Sequence, residues 1–542
     1  AIGGTDQRSS ATPDARITFP DGETLIAEGS GYRSATSEDL FNYQAFTTAV
    51  VPMERSSIYG NASYDFNESI TGYVELSYLE TDAESTLAPT PVFTGFEAEP
   101  LVIAADNIYN PFGEELLDVR RRLIELPTRR QRNESEVSRF SAVIEGLLSE
   151  WHWDIGYSWS RSEASEVTSN IVNADNLRLA LGPSSGCRGL ALDGCIAVNL
   201  TGPAGSIAPD QANYISAAGE VSGYSKLSSG SINVTRGIQG LPAGRLDLAM
   251  GLEVRHEATS KRPSPLLANI GTIGATNFEP TRGDRNVIEV YVEALVPVWR
   301  SASGLSHFDV EAAVRFSDYN DFTDSTNPKL ALRWQAGPEF LLRANYAEGF
   351  RAPSLNELFA GVTESQDFLE DPCTSLENVG VLPGCSQLAD ATRNQFLTLK
   401  GGNTSLRPET SDSYSLGLVW TPGALPGLAA SVDYFIIDQE NVVSSSAQFI
   451  VNQNAREGSF QDNVERDAQG NLTLVRATNI NIGERRVSGA DLALTYHFRK
   501  GSWGQFSLVG SATYMREYEA RLDRTAPTVD FARTFRDEAS EG

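Results

Sequence analysis

Six arginines crowd into one short stretch of an acidic chain: Arg120, Arg121, Arg122, Arg129, Arg130 and Arg132. Guanidinium groups at that density can take carboxylates or phosphates through paired hydrogen bonds. A ligand's carboxylate or phosphate is one reading, and salt bridges to neighbouring acidic segments are the other. A second charged set recurs at every other position of otherwise apolar runs: Asp154, Glu253, Arg255, Glu289, Glu293 and Asp491, with Asp247. Such residues would line a polar lumen, where their ordinary use is to pair with water and with one another. Enzyme constellations do not assemble. Gly182-Pro183-Ser184-Ser185-Gly186 spells G-x-S-x-G, but that elbow needs a strand before it and a helix after it. Here it runs straight into Cys187. The four histidines, His152, His256, His307 and His497, fall on separate runs with no i, i+4 pair. No metal centre and no cofactor is expected. The cysteines form two local pairs, Cys187/Cys195 and Cys373/Cys385, without C-x-x-C spacing. They read as small loop-closing disulfides of an oxidising compartment.

The elements that position these groups are strands. Leu246, Leu248, Met250, Leu252 and Val254 alternate with Asp247, Ala249, Gly251, Glu253 and Arg255. Trp151 to Ser160, Ile288 to Val296 and Ala490 to Phe498 repeat the pattern, which is that of strands with one apolar and one polar face. About fourteen such strands fit between residues 56 and 518. Their connections alternate in length. Short ones lie near 67–68, 149–150, 240–244, 300–304, 337–338, 422–427 and 500–504. Long ones run roughly 83–136, 163–220, 259–284, 350–407 and 441–482. Loops of that length are rare in compact domains, whereas short turns at one end and long loops at the other are the pattern of an outer-membrane barrel. Trp151, Trp153, Trp299, Trp334 and Trp420 sit near strand ends, as an interfacial girdle requires. Acidic residues (71) outnumber basic ones (43), for a net charge of −28, a field that repels nucleic acid. No apolar run is long enough for a membrane helix, which says nothing against membrane strands. A secreted β-sandwich array is the alternative architecture.

The stretch from Asn327 to Phe359, ending "NYAEGFRAPSLNELF", and the stretch "GNTSLRPETSDSYSLGLVW" from Gly402 together resemble the paired signature of TonB-dependent outer-membrane receptors. Asn345, Tyr346, Gly349, Phe350, Arg351, Pro353, Leu358 and Phe359 carry the first motif. Gly402, Asn403, Leu406, Pro408 and Glu409 carry the second, with Thr404 where the family usually has proline. "NIGERRVSGADLALTYHF" (481–498) and "AMGLEVRHEATSKRP" (249–263) look like a third and a fourth family segment, and "ERSSIYGNASYDFNESITGYVELSYLETDAESTLAPTP", "NIYNPFG" and "LPAGRLDLAMGLEVRHE" resemble the large-looped Gram-negative subclass. The resemblance implies an all-β fold, an antiparallel transmembrane β-barrel in the bacterial outer membrane. The family barrel has roughly 22 strands, so this chain is expected to be an incomplete part of one. Residues 46–518 would be recognisable barrel, 1–45 a loop or early barrel region and 519–542 a loop before further strands, with no plug domain. TonB, outer-membrane lipid and lipopolysaccharide, and a small or oligomeric solute are the implied partners of a monomeric barrel. Iron–siderophore uptake is the expected function, with oligosaccharide, cobalamin or peptide as rivals and a passive porin as the competing class. For the first motif, Pro353 is expected at the first position of a short helix, Glu357 in its first turn and Arg351 at the rim as an anchor.

Overall fold

The computed structural model describes residues 8–532 except 96, 98, 99, 188–193, 270, 392–394 and 522–528. The alternating runs become fourteen long strands. The first seven are β1 (Met53–Asn67), β2 (Ile70–Leu87), β3 (Arg129–Leu148), β4 (Trp151–Asn173), β5 (Ser216–Leu241), β6 (Gly244–Pro263) and β7 (Thr281–Arg300). The others are β8 (His307–Tyr319), β9 (Ser325–Ala336), β10 (Phe340–Arg351), β11 (Glu409–Trp420), β12 (Leu428–Ser444), β13 (Ile480–His497) and β14 (Ser507–Arg521). Each pairs antiparallel with the next in chain order, and with the short Thr272–Ile273 and Val529–Asp530 they make one sixteen-stranded sheet. Among the described residues β1 and β14 are not paired with each other.

Register decides which side each residue faces, because cross-strand partners point the same way. One row runs Asp154, Asn233, Gly251, Tyr291, Arg315 and Asn327 across β4 to β9. The neighbouring row runs Ile155, Ile232, Leu252, Val290 and Phe316. Those five apolar side chains are 40–47% exposed, with no protein covering them. A slip of one residue would exchange the faces, so the pairing is fixed by which face can stand in lipid. A continuous exposed apolar face of this extent is a membrane surface rather than a solvent surface. The outward face turns polar after Tyr78 on β2, Trp159 on β4, Val254 on β6 and Phe316 on β8. That level drops along the register from strand to strand, as tilted strands require.

Seven tight connections, among them 68–69, 149–150 and 337–339, gather at one end. Gly337 turns its chain with φ 79°, a conformation a residue with a Cβ avoids. At the other end the strands run further than the alternation suggests. β4 continues to Asn173 and β3 begins at Arg129, so much of the expected loops 163–220 and 83–136 is strand. One connection there, 320–324, is short. Arg282-Gly283-Asp284, expected in a loop, lies within β7.

The remaining connections fold into two caps. In the first, Gly31–Ser34, Thr24–Glu28, Arg16–Thr18, Asp118–Arg122 and Pro91–Phe93 form a five-stranded sheet in that order. Helices Ala174–Leu181 and Pro209–Ile215 close a core around Ile17, Val119, Leu177, Val198 and Ile215. Within 1–45, expected as a loop or early barrel region, residues 16–34 supply three strands of this cap, with apolar Ile17 and Ile26 buried. Of the expected terminal loop 519–542, residues 519–521 belong to β14, and 522–528 and 533–542 lie outside the described residues. In the second cap, Thr363–Phe368, Gln395–Gly401, Leu472–Thr478 and Val464–Arg466 form a sheet over helix Ala447–Glu457, around Phe396, Ile450 and Val475. The β6–β7 connection meets the second cap where Glu279 N–H donates to the Val362 carbonyl at 2.8 Å.

Candidate functional site

The rim is made by two segments far apart in sequence. β10 ends at Arg351, and helix Leu355–Phe359 follows because Ser354 and Glu357 cap it reciprocally. Ser354 Oγ accepts the Glu357 N–H at 3.1 Å, and Glu357 Oε2 accepts the Ser354 N–H at 2.6 Å. Pro353 thus stands before the cap and not at the first helical position, since the serine, not the proline, satisfies the free N–H groups of the first turn. Arg351 then holds two carboxylates, Glu357 at 2.9 and 3.0 Å and Glu409 at 2.9 and 2.6 Å. Glu409 is buried and also accepts from Gln439 Nε2 and the Val443 N–H, both at 2.8 Å. Burial raises Glu357, but hydrogen bonds from Arg351 and Ser354 outweigh it and hold the carboxyl below its ordinary range.

The second motif lies directly on this helix. Gly402 N–H donates to the Ala360 carbonyl at 2.9 Å. A Cβ at Gly402 would stand 2.6 Å from Ala360 N and from the Leu358 carbonyl oxygen, so only glycine lets the two backbones approach. Asn403 donates its N–H to the Glu357 carbonyl and its side chain to the Asn479 carbonyl, both at 2.9 Å. Leu358 and Leu406 are buried, and Phe359 lies over Gly283 of β7. Asn345, Tyr346, Gly349 and Phe350 stay within β10, and Pro408 directly precedes β11. The Tyr346 hydroxyl donates to Glu348 and Asp412 at 2.7 and 2.9 Å. The two motifs form one clamp across β7, β10, β11, β12 and β13.

The inner wall carries the second charged set. Asp154, Glu253, Glu289, Glu293 and Asp491 share one face by register, as does Arg255. Arg255 pairs with Glu253 at 3.1 Å, Glu257 at 2.8 Å and Glu289 at 3.4 Å. Arg315 adds Glu289 at 2.6 Å and Glu253 at 3.3 Å, and Ser317 Oγ donates to Glu289 at 2.6 Å. Tyr291 donates to Asn233 at 2.9 Å, and Asn233 to Asp154 at 2.8 Å. Gly251 leaves room for the Tyr291 ring, which would stand 2.3 Å from a Cβ there. Asp491 accepts from Thr513 at 2.6 Å, and Arg343 grips Asp433 at 2.7 and 2.6 Å. Arg315, Arg343 and Asp433 escaped the sequence reading, although the alternation of Val314, Arg315 and Phe316 carries the same signal as β6.

The arginine cluster does not converge on one open face. Arg121 is fully buried and donates to the carbonyls of Asn199, Gly202 and Pro203 at 2.9, 2.8 and 2.8 Å, and to Glu125 at 2.7 Å. Burial lowers its pKa. Burial, with Arg129 nearby, also lowers Arg122 to about 10. Arg122 donates to the Pro89 carbonyl at 2.9 Å and covers Phe41. Arg129 donates to the carbonyls of Ala88 and Gly274 at 2.8 and 2.7 Å. Arg120 holds Asp118 at 2.7 Å, Arg132 holds Glu134 at 2.8 Å, and Arg130 lies 3.8 Å from Glu84. Three of the six are thus internal staples of the first cap. Cys187 is joined to Cys195 and Cys373 to Cys385. No cluster able to hold a metal occurs among the described residues.

A wall apolar outside and charged within, capped at one end, agrees with the sequence of residues 109–536, which matches the family model described as TonB dependent receptor-like, beta-barrel. The chain belongs to the TonB-dependent receptor β-barrel family. TonB-dependent receptor barrels are outer-membrane proteins, so the apolar outer rows of this chain face outer-membrane lipid. No curated protein matches the chain. It is similar to the siderophore receptor PirA from Acinetobacter baumannii, with 13% identity and a TM-score of 0.46 over 86% of this chain and 53% of that one. It is similar to the RagAB peptide importer, with 11% identity and a TM-score of 0.48 over 87% of this chain and 47% of that one. The ferripyoverdine receptor of Pseudomonas aeruginosa gives 12% identity and a TM-score of 0.47 over 96% of this chain and 58% of that one. The chain spans about half the length of these structures.

Proposed function

We propose that this chain supplies most of the barrel wall and the outer caps of a receptor that captures a scarce solute and imports it with energy delivered by TonB. The observation that carries the reading is the asymmetry of the sheet's ends. One end has only tight turns, while the other carries two caps with cores of their own. Large ordered loops on a rigid scaffold are where binding surfaces are built. In this reading residues 46–518 are barrel. The edges β1 and β14 take further strands, because an unpaired strand edge is costly in lipid, and a plug meets the inner-wall charges. Arg351, Gly402, Asn403 and Glu409 then set where the second cap leaves the wall and do not touch solute. An iron–siderophore complex is the first solute class to test, as the commonest cargo of the family, followed by oligosaccharide, cobalamin and peptide.

The test is growth and labelled uptake in a strain lacking the gene, complemented with the full receptor. Under iron chelation, one ferric siderophore should support growth only with the receptor, and its uptake should stop when TonB is removed. Uptake that continues without TonB would overturn energy coupling in favour of a passive pore. Normal growth with every ferric siderophore, together with failure on one glycan or peptide, would reassign the solute.

A further inference from the structure

Residues 271–281, which lead into β7, are fastened to the first cap at one end and to the second cap at the other. Ile273 belongs to the same buried core as Val119 and Leu177 of the first cap. Thr272 and Ile273 pair antiparallel with Asn173 and Val172 of β4. The Gly271 carbonyl accepts the Ala174 N–H at 2.9 Å, where helix Ala174–Leu181 begins. Arg129 donates to the Gly274 carbonyl at 2.7 Å, and Gly274 turns the chain beside Thr90 with φ 94°. Past this turn the attachment changes sides. Phe278 stands opposite Thr363, and two backbone bonds flank the pair: Glu279 N–H to the Val362 carbonyl at 2.8 Å and Glu364 N–H to the Asn277 carbonyl at 3.3 Å. Gly361 N–H donates to Thr281 Oγ1 at 3.0 Å. A Cβ at Gly361 would collide with the Glu279 carbonyl, so a glycine lets the two backbones close.

Asn277 joins the two attachments. Its side chain is buried and holds Thr272 twice, accepting the hydroxyl at 2.6 Å and donating to the carbonyl at 3.0 Å. Its own carbonyl takes the N–H of Glu364 in the second cap. The turn between Thr272 and Asn277 is therefore braced across its base and cannot stretch to absorb a movement. A shift at Asn277 pulls on Thr272 and, one residue on, on Ile273 in the first core. Lys261 of β6 lies over the Phe278 ring at 4.2 Å and steadies the far end. We infer that residues 271–281 are a strut that couples the two caps, so that neither opens without loosening the other. Coupling of this kind is reciprocal: what the strut contributes to one cap it contributes equally to the other. On the reading that the caps take solute, a ligand that steadies one cap steadies its neighbour by the same factor.

The test is hydrogen exchange on the full receptor without solute, so its outcome is separate from that of the uptake experiment. Peptides over 118–122 report the first cap and peptides over 472–478 the second. Glu279→Pro removes the N–H that Val362 accepts. Exchange should quicken about tenfold in both peptides and by the same factor. A merely local role would quicken only the second cap, whose bond is cut. The reverse perturbation is Phe278→Cys/Thr363→Cys. Directly opposed residues between flanking bonds stand about 4.5 Å apart at Cα, within reach of a disulfide. Once oxidised, this variant should exchange more slowly in both peptides than either single-cysteine variant. Heat-modifiable electrophoretic mobility verifies that each barrel is folded, and if Glu279→Pro does not fold, the cross-linked variant decides alone. A change confined to one cap, in either direction, or unchanged exchange in both would overturn the inference.

Discussion

Replacing Arg121 with methionine separates its role as a staple from a role in gripping solute. The methionine keeps part of the buried stem and removes every donor. The carbonyls of Asn199 and Pro203 then lose the guanidinium, the Gly202 carbonyl keeps the Ala15 N–H at 3.1 Å, and Glu125, whose side chain is 9% exposed, loses its counter-charge and keeps the Gly205 N–H at 2.8 Å. Hydrogen bonds to a charged group contribute about 1.5–3 kcal/mol each, while burying a guanidinium itself costs several kcal/mol. The difference is best taken from buried pairs broken on one side, which cost about 3–5 kcal/mol. At about 4 kcal/mol, opening of the first cap becomes roughly a thousandfold more frequent. Hydrogen exchange on the full receptor reads this directly. Peptides over 118–126 and 198–206 should lose about three orders of magnitude of protection, while β5 to β8 keep theirs. Adding Glu125→Gln should restore part of the loss, because the uncompensated carboxylate is then gone. Unchanged exchange combined with lost solute binding would refute the reasoning and return Arg121 to the ligand.

Three further outcomes follow from the same geometry. Burial, with Glu364 as a minor contributor, pushes the Glu97 carboxyl up to about 7. Its folded-state pKa lies above the unfolded one, so its stabilisation is full below about pH 4.5 and is lost as pH rises through 7. Hydrogen exchange of the 88–128 connection should therefore speed up between pH 5 and pH 8 by an amount equivalent to at most about 3 kcal/mol, and Glu97→Gln should flatten that dependence; an unaltered slope would count against it. Gly402→Ala places a methyl group against the backbone of Ala360 and should destabilise the rim by about 1–3 kcal/mol, seen as faster proteolysis within 352–408; unchanged proteolysis would mean that the helix can shift. Cys373→Ser opens a link across a sequence separation of 12 and should cost the second cap about 3 kcal/mol, read as lost protection over 447–457, with full protection as the contrary result.

The parts legible in the sequence are those with a local period. The faces of β4, β6, β7 and β13 follow from alternation alone, because lipid on one side and charge on the other force a period of two. The rim motifs were legible as a pair, and Arg351 as an anchor, but not its second carboxylate: Glu409 reaches it only because β10 and β11 are neighbours. The caps were not legible. Gln395–Gly401 lies parallel to Leu472–Thr478, a pairing between segments of different loops that leaves no periodic trace. Arg121 shows the same limit, since a charge can be read from sequence but not the carbonyls folded around it. Pro353 stands two positions before the first helical residue, Leu355, because Ser354, with Glu357 three residues on, is the stronger signal for a helix start.

The central claim is that a single sheet separates lipid from a charged interior. Single cysteines placed in turn from Leu252 to Arg255 of β6 and from Ile288 to Tyr291 of β7, in the full receptor within native outer membrane, test it most directly. The account predicts strict alternation. Positions 252, 254, 288 and 290 should resist a water-soluble thiol reagent and, when carrying a fluorophore, be quenched by brominated lipid. Positions 253, 255, 289 and 291 should escape lipid quenching. Quenching that ignores this alternation, or labelling of all eight from water, would contradict it.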